Sequence, residues 1–314
     1  MCKHCLMDVH HLRTLRELRD RGSVTAVAHA LHISPSAVSQ QLAALQRATP
    51  IALTEQRGRV LALTAAGARV ADAAEDVLAA LARTEGAVDD FLSRSNEAVT
   101  VTAFHSAALA WFPALIEQSA SDPSGPEVHV RDEDVSTEEF PLLAADYDIV
   151  IAHRPLGSAP WQSARVNAIP VMDEPLDVAV SVSHRLATRS SVRLSEVVDE
   201  VWTAAHEGFP LEPLLAQAVS ASTGRPLRIA HRVNEFNVAA AIIARTNTIG
   251  LLPRYTGLGP SFADQVVLLP IEDVRLGRHV DLLTRRDTGA RRGVRIVVER
   301  IAQIAAERSG ELHS

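Results

Sequence analysis

Cysteine is nearly absent: the 314 residues hold two, Cys2 and Cys5, both at the extreme N-terminus. Such a C-x-x-C pair could bind a metal or form a redox couple, but no second C-x-x-C or H-x3-H follows to complete a zinc ligand set, and two cysteines make no disulfide framework. The pair, with His4, His10 and His11 nearby, reads as part of a frayed leader over residues 1–6, and Met7 is an alternative start. Lysine occurs once, at Lys3, and aromatic residues make up 4%. The N-terminal dozen residues carry charges and histidines instead of the apolar core of a secretory signal. One uncharged stretch, residues 98–116, is long enough to raise the question of a membrane span, but it is broken by Thr100, Thr102, His105, Ser106 and Pro113, and its first part alternates like a strand. No membrane span is expected, and the expected compartment is the cytoplasm. Equally missing are G-x-S-x-G, a P-loop, H-E-x-x-H, and a G-x-G-x-x-G after a strand. Gly257-Leu258-Gly259-Pro260 lacks the third glycine, and the 13 histidines are scattered without a triad or ligand spacing. Neither an enzyme nor a cofactor is expected.

What is present is ordinary globular material, 47% hydrophobic and 22% charged, in a chain long enough for about two domains. The formal net charge of −7 hides an asymmetry. Residues 8–69 carry eight arginines against four acidic residues, a formal +4, which leaves the remainder strongly acidic. Such asymmetry points to a nucleic-acid module joined to something else.

A first helix is predicted over residues 9–21, with Leu12, Leu15 and Leu18 on one face and Gly22 ending it. Ser23 is an N-cap for a short helix through Leu31. Ser34-Pro35, a cap followed by proline at the first helical position, opens a third helix over 35–47. Its buried face is Ala37, Val38, Leu42 and Leu45; Ser36, Ser39, Gln40 and Ala43 face outward. Two short helices with a tight turn, the second opening on small polar residues, describe a helix-turn-helix whose second helix enters the major groove. Any capped amphipathic helix carries such residues on its solvent face, so this pattern leaves both readings open. The next segment tips the balance. Two short strands, 51–53 and 60–63, flank Glu55-Gln56-Arg57-Gly58-Arg59, a wing whose arginines would add sequence-independent, salt-sensitive affinity. From Thr64 to Arg94 an alanine-rich helix follows, on which Val70, Val77, Leu81, Val88 and Phe91 share a face suited to a second copy.

The run Ala28-x-x-Leu31-His32-Ile33-Ser34-Pro35-Ser36-Ala37-Val38-Ser39-Gln40-Gln41-Leu42, with Leu45, Gly58-Arg59 and Leu63-Thr64-x-x-Gly67, resembles the LysR-type transcriptional regulators. The resemblance covers nearly the whole chain. It implies an N-terminal winged helix-turn-helix over 1–65, a linker and dimerisation helix over 66–95, and a two-lobed α/β effector domain of the periplasmic-binding-protein type over 96–308. Lobe I is expected at 96–170 and 266–308, and lobe II at 171–265. Ser34, Pro35, Ser36, Ser39 and Gln40 carry over as DNA contacts, and Arg57 and Arg59 as wing contacts. The chain departs from the family pattern at Gln46, where a glutamate is usual, and at Thr49-Pro50 and Leu53-Thr54-Glu55-Gln56 near the base of the wing.

Beyond the linker, strands alternate with helical patterns: 99–103, 128–130 and 148–151, then 178–180 opening the second lobe. Ser183-His184-Arg185-Leu186-Ala187 is similar to the family's His-Pro-Leu-Ala turn. Residues 238–243 and 249–253 match its helix-turn-strand, and 267–271 and 280–283 are expected to return to lobe I. By the resemblance an effector sits between the lobes, against Ser106, Asp132, His153, Arg154, Thr203, His206, Asn234, Phe236 and Asn237. Arg154 suggests a carboxylate-bearing effector, because a guanidinium fork matches a carboxylate. The partners implied are double-stranded DNA half-sites, a small molecule, RNA polymerase, and further copies of the chain as dimer or tetramer. The competing reading is a cytoplasmic small-molecule-binding protein or enzyme with a helical N-terminal adaptor.

Overall fold

The computed structural model describes residues 7–92, 97–161, 165–206 and 212–311; Cys2 and Cys5 lie outside them. The N-terminal module is α1 (Val9–Arg21), α2 (Val24–Ala30), α3 (Pro35–Ala48) and the hairpin β1 (Thr54–Arg57) with β2 (Val60–Leu63). Each helix start carries its own cap. Asp8 accepts from His10 N, Ser23 from Ala26 N and Ser34 from Ala37 N, satisfying amides that the helix leaves orphaned. Gly22 ends α1 at φ 70°, a conformation that costs glycine little. Leu15, Val27, Val38, Leu45 and Leu53 form the module's core. The first wing strand begins at Thr54, after the expected 51–53. Leu53 is drawn into the core while Ile51 stays exposed, so the three residues do not pair as a ladder.

One long helix, α4 (Ala65–Leu92), follows. At its start Gly67 lies so close to the Leu53 carbonyl that a Cβ would sit 1.9 Å from the oxygen, so only glycine fits here. Ala71, Ala74, Leu78 and Ala79 are buried, whereas Val77, Val88 and Phe91 are exposed, Phe91 at 89%.

The remaining chain runs β3 (Val99–Ala103), α5 (His105–Ser121), β4 (Val128–Asp132), α6 (Phe140–Leu143), β5 (Ile149–Pro155), β6 (Asn167–Ser181), α7 (Leu194–Val197) and β7 (Val201–Ala204). It continues through α8 (Glu212–Thr223), β8 (Arg228–Arg232), α9 (Phe236–Ile243), β9 (Ile249–Pro253), β10 (Val266–Leu269), β11 (Gly277–Thr284) and α10 (Arg292–Glu311). The nine strands are ordered β4-β3-β5-β11-β6-β9-β7-β8, with β10 also on β6. The 15-residue β6 explains the two lobes. Residues 167–175 pair with β11, while residues 176–181 pair with β9 and β10, so one strand serves both halves. Each half has its own core, around Trp111 and Phe140 in lobe I and around Trp202 in lobe II. The expected return of 267–271 to lobe I is corrected by this pairing. β10 lies antiparallel to the second half of β6, in lobe II, and only β11 returns.

Candidate DNA-binding surface and interlobe cleft

Ser34, Pro35, Ser36, Ser39 and Gln40 are all exposed at the start of α3. The serines brace one another: Ser34 Oγ lies 2.8 Å from Ser36 Oγ, and Ser39 Oγ donates to Pro35 O at 3.1 Å. The Gln40 side chain makes no hydrogen bond among the described residues. At the wing tip Gly58 adopts φ 63°. Arg57 is held by Glu55 at 2.6 Å with both side chains well exposed, while Arg59 has no ion-pair partner among the described residues. Gln46 earns its place structurally. Its Oε1 accepts from Leu53 N and its Nε2 donates to Ile51 O, each at 2.8 Å, tying α3 to the base of the wing.

The opposite side of α1 is a charged junction with the effector domain. Arg285 bonds Glu17 at 2.7 Å and Asp20 at 3.1 Å, Arg16 reaches Asp287 at 3.2 Å, and Arg21 reaches Asp146 at 2.6 Å. Arg19 joins Asp20, Asp72 and Glu75. Burial opposes ionisation of Glu17, but Arg285 and Arg16 outweigh it and hold the carboxyl below its ordinary value. Three of the four arginines of α1, Arg16, Arg19 and Arg21, are therefore spent on internal pairing, and the positive charge left outward is shared between the wing and Arg13, Arg47 and Arg69, which form no ion pair among the described residues.

Between the lobes the floor is a buried ion pair. Arg278 on β11 stands opposite Glu174 on β6, 1% and 0% exposed at their side chains and 2.8 Å apart. Glu174 also accepts from Tyr255 N at 2.9 Å and Thr256 N at 2.7 Å. Arg278 also donates to Ser106 Oγ at 3.0 Å and Thr256 Oγ1 at 2.7 Å, and stacks over Phe104 at 4.5 Å. Above it His105 on α5 lies 3.1 Å from Asp132 and 3.6 Å from Glu235, a contact that crosses from one lobe to the other. The pocket here, lined by Ser106, His153, Asn234, Phe236 and Arg278, is only about 20 Å³, room for one water.

His153 is buried edge-on against Phe104 (4.8 Å) and Phe140 (5.4 Å), with no partner for its Nδ1 among the described residues. Burial, with Arg278 adding repulsion, holds its pKa well below 6.5. The folded state resists a proton that the unfolded chain accepts near its ordinary value, so stability is full above that value and is lost as pH falls below it. Wild type should lose about 1.4 kcal/mol of unfolding free energy per pH unit from this one group below pH ~6.5. Urea unfolding at pH 7 and pH 5.5 tests this: His153→Phe should flatten the difference, and an unchanged slope would refute the assignment.

Of the residues expected at the cleft, Ser106, His153, Asn234 and Phe236 line it. Asp132 holds His105, and His206 N donates to Asn234 Oδ1 at 2.8 Å. Three go elsewhere. Thr203 is buried against Thr248, and Asn237 accepts from Gly259 N. Arg154 turns into a separate cavity of lobe I, where it bonds Asp281 at 3.0 Å. With it goes the basis for expecting a carboxylate in the cleft. Glu174, Arg278, Thr256 and His105 were not foreseen. The available signal was a lone glutamate and a lone arginine in otherwise β-forming segments.

The comparisons with known proteins follow the same division. Residues 9–68 match the model of the bacterial regulatory helix-turn-helix protein of the lysR family, and residues 93–306 match the LysR substrate binding domain. The chain belongs to the LysR family of transcriptional regulators. It is 22% identical to the transcriptional dual regulator GltC of Bacillus subtilis, over 88% of this chain and 90% of that one. It is also 22% identical to the regulator PcaQ of Agrobacterium fabrum, over 95% and 94%. A full-length OxyR structure from Pseudomonas aeruginosa shares the fold at a TM-score of 0.64 and 18% identity, covering 96% and 95%. As a LysR regulator the protein binds DNA and carries an effector-binding domain. Among its described residues no helix is long and apolar enough to cross a membrane.

Proposed function

We propose that this LysR regulator reads DNA with the first turn of α3, grips it with the wing, and is switched by a small molecule that opens the interlobe cleft. In this reading Ser34, Pro35, Ser36 and Ser39 meet the phosphates and groove wall, Gln40 reads a base edge, and Arg57 and Arg59 add backbone contacts. The observation that carries it is the exposed, unbonded Gln40 beside a braced serine turn, on the module whose other charged face is already paired. Residues 1–65, 66–95 and 96–308 are the working domains, with lobe II extended to include β10. The exposed Val77, Val88 and Phe91 of α4 favour a dimer, with a tetramer on paired half-sites, and RNA polymerase as the protein contacted there. Membership of a family of DNA-binding regulators supports regulation over catalysis and the cytoplasm, where the DNA is, as its place.

The cleft supports a switch because it is closed. A cavity of about 20 Å³ admits no metabolite, so an effector larger than water must separate His105 from Glu235 and Ser106 from Thr256, contacts that span the lobes. Binding then selects the opened arrangement by its differential affinity. The buried Nδ1 of His153 and the exposed Asn234 are the polar groups it would meet.

A gel shift on the DNA upstream of the protein's own gene tests the reading, with random DNA as competitor. Specific binding is expected, and Gln40→Ala should cost about 1–3 kcal/mol of base discrimination while leaving random-DNA binding nearly unchanged. Equal loss on both DNAs would remove Gln40 from base readout. Sedimentation of the same preparation as a monomer at micromolar concentration would remove the dimer.

A further inference from the structure

Lobe I contains a second cavity, of about 430 Å³, between α6 and the segment that follows β5. It shares no lining residue with the interlobe cleft and lies in the size range of small-molecule sites, roughly 300–1,000 Å³. Its walls are Pro141, Leu142, Pro160 and the indole of Trp161. The indole is held in place: Trp161 Nε1 donates to Asp281 Oδ2 at 2.7 Å, and its ring packs edge-on against the buried Phe140 at 6.4 Å. A rigid aromatic wall costs little to order around a ligand.

The polar groups facing this space are mostly donors. Arg154 spends Nε on Asp281 and Nη1 on Ser158 O, both at 3.0 Å, and its Nη2 has no partner among the described residues. Thr137 Oγ1 is buried with no hydrogen bond, an unmet polar atom of the kind a ligand satisfies. Arg165 closes one end, 3.7 Å from Asp20 of the DNA-binding module, whose nearer partners are Arg19 and Arg285. The sole acid on the lining, Glu138, is exposed at the rim.

We propose that this cavity is a second small-molecule site, for a monocarboxylate with a compact apolar or aromatic body. The body lies against Trp161 and Leu142, and the carboxylate takes the Nη2 edge of Arg154 and the hydroxyl of Thr137. Glu138 disfavours a second negative charge at the rim. The site touches the domain junction through Pro141, Leu142 and Arg165, which also border a small gap with Asp20 and Arg285. An occupant competes with Asp20 for Arg165, so its presence is felt where the DNA-binding module docks.

The chain supplies its own reporter. Of its three tryptophans, Trp111 and Trp202 are 0% exposed and only Trp161 faces the cavity. The full chain is titrated with 4-bromophenylacetate, whose bromine quenches an indole on contact, and tryptophan fluorescence is read without DNA. Saturable quenching is expected. Arg154→Gln should raise the midpoint at least tenfold, Ala159→Phe, at an exposed lining position, should abolish saturation, and His105→Gln in the cleft should change nothing. Trp161→Phe should remove the signal while equilibrium dialysis still finds the probe bound. Linear quenching of the wild type, unchanged midpoints in Arg154→Gln and Ala159→Phe with native circular dichroism, or loss of saturation in His105→Gln would each overturn the proposal. Because no DNA enters the assay, its failure leaves the DNA-binding reading untouched, and the reverse holds for the gel shift.

Discussion

Replacing Glu174 with alanine is expected to lower the stability of the effector domain by about 3–5 kcal/mol, the usual cost of stranding one member of a buried ion pair. Three consequences add in the same direction. Arg278 loses its counter-charge at 1% exposure, and the amides of Tyr255 and Thr256 lose the oxygen that accepts them. The loop after β9 also loses its tie to β6. Glu174→Gln keeps an acceptor for the amides and removes only the charge, so it should cost less. Glu174→Leu combined with Arg278→Met should cost less than Glu174→Ala, since an apolar pair leaves no charge behind. Urea unfolding at pH 7, following the buried Trp202 of lobe II and Trp111 of lobe I, measures all three. A loss below about 1 kcal/mol for Glu174→Ala would mean that water or a shifted side chain replaces the carboxylate and that the pair does not hold the lobes.

The double variant Arg57→Ala, Arg59→Ala is expected to flatten the salt dependence of DNA binding by about 1.8 in log–log slope, two phosphate contacts at about 0.9 each. Between 50 and 200 mM salt that slope amounts to roughly a tenfold smaller loss of affinity than in wild type. The two arginines should not contribute equally. Arg57 must first leave Glu55, although an exposed pair of this kind is worth little, whereas Arg59 has no such competitor. Arg59→Ala alone should therefore account for at least half of the change. Filter binding on specific and random DNA across a salt series measures both. A slope equal to wild type would mean that the wing does not touch the backbone.

The junction between α1 and the effector domain gives these two effects a shared context. The DNA-binding module is docked by Arg285, Arg16 and Arg21 against carboxylates across the boundary, and with Arg19 this packing withdraws three of the eight arginines of residues 8–69 into internal ion pairs. A formal +4 over residues 8–69 thus overstates the charge offered to DNA. The wing carries a larger share of the electrostatic attraction than the sequence count suggests.

Much of the fold was readable because its signals are local. Ser23, Ser34-Pro35 and Gly22 are caps whose physics involves residues two to four apart, and the helices begin and end where those caps place them. Alternation over 99–103 and the apolar run 249–253 coincide with β3 and β9 for the same reason. The wing strand slipped because Leu53 is claimed by a core assembled from α1, α3 and α4, which no local pattern encodes.

The site was less legible, and the causes are specific. His153 and Arg154 are adjacent on β5, and a strand sends successive side chains to opposite faces. The parity was known from the sequence, but which face closes against lobe II was not, so one residue reached the cleft and its neighbour entered the cavity of lobe I. Glu174 and Arg278 are 104 residues apart and meet only through the register of β6 against β11. β10 reads equally well as a strand of either lobe until the length of β6 assigns it. The amino-acid order therefore established the family, the caps and the outward face of α3, all of which depend on neighbours in the chain. Strand register and lobe closure established which charges are spent inside the protein and which remain for DNA and ligand, because pairing over a hundred residues leaves no periodic trace.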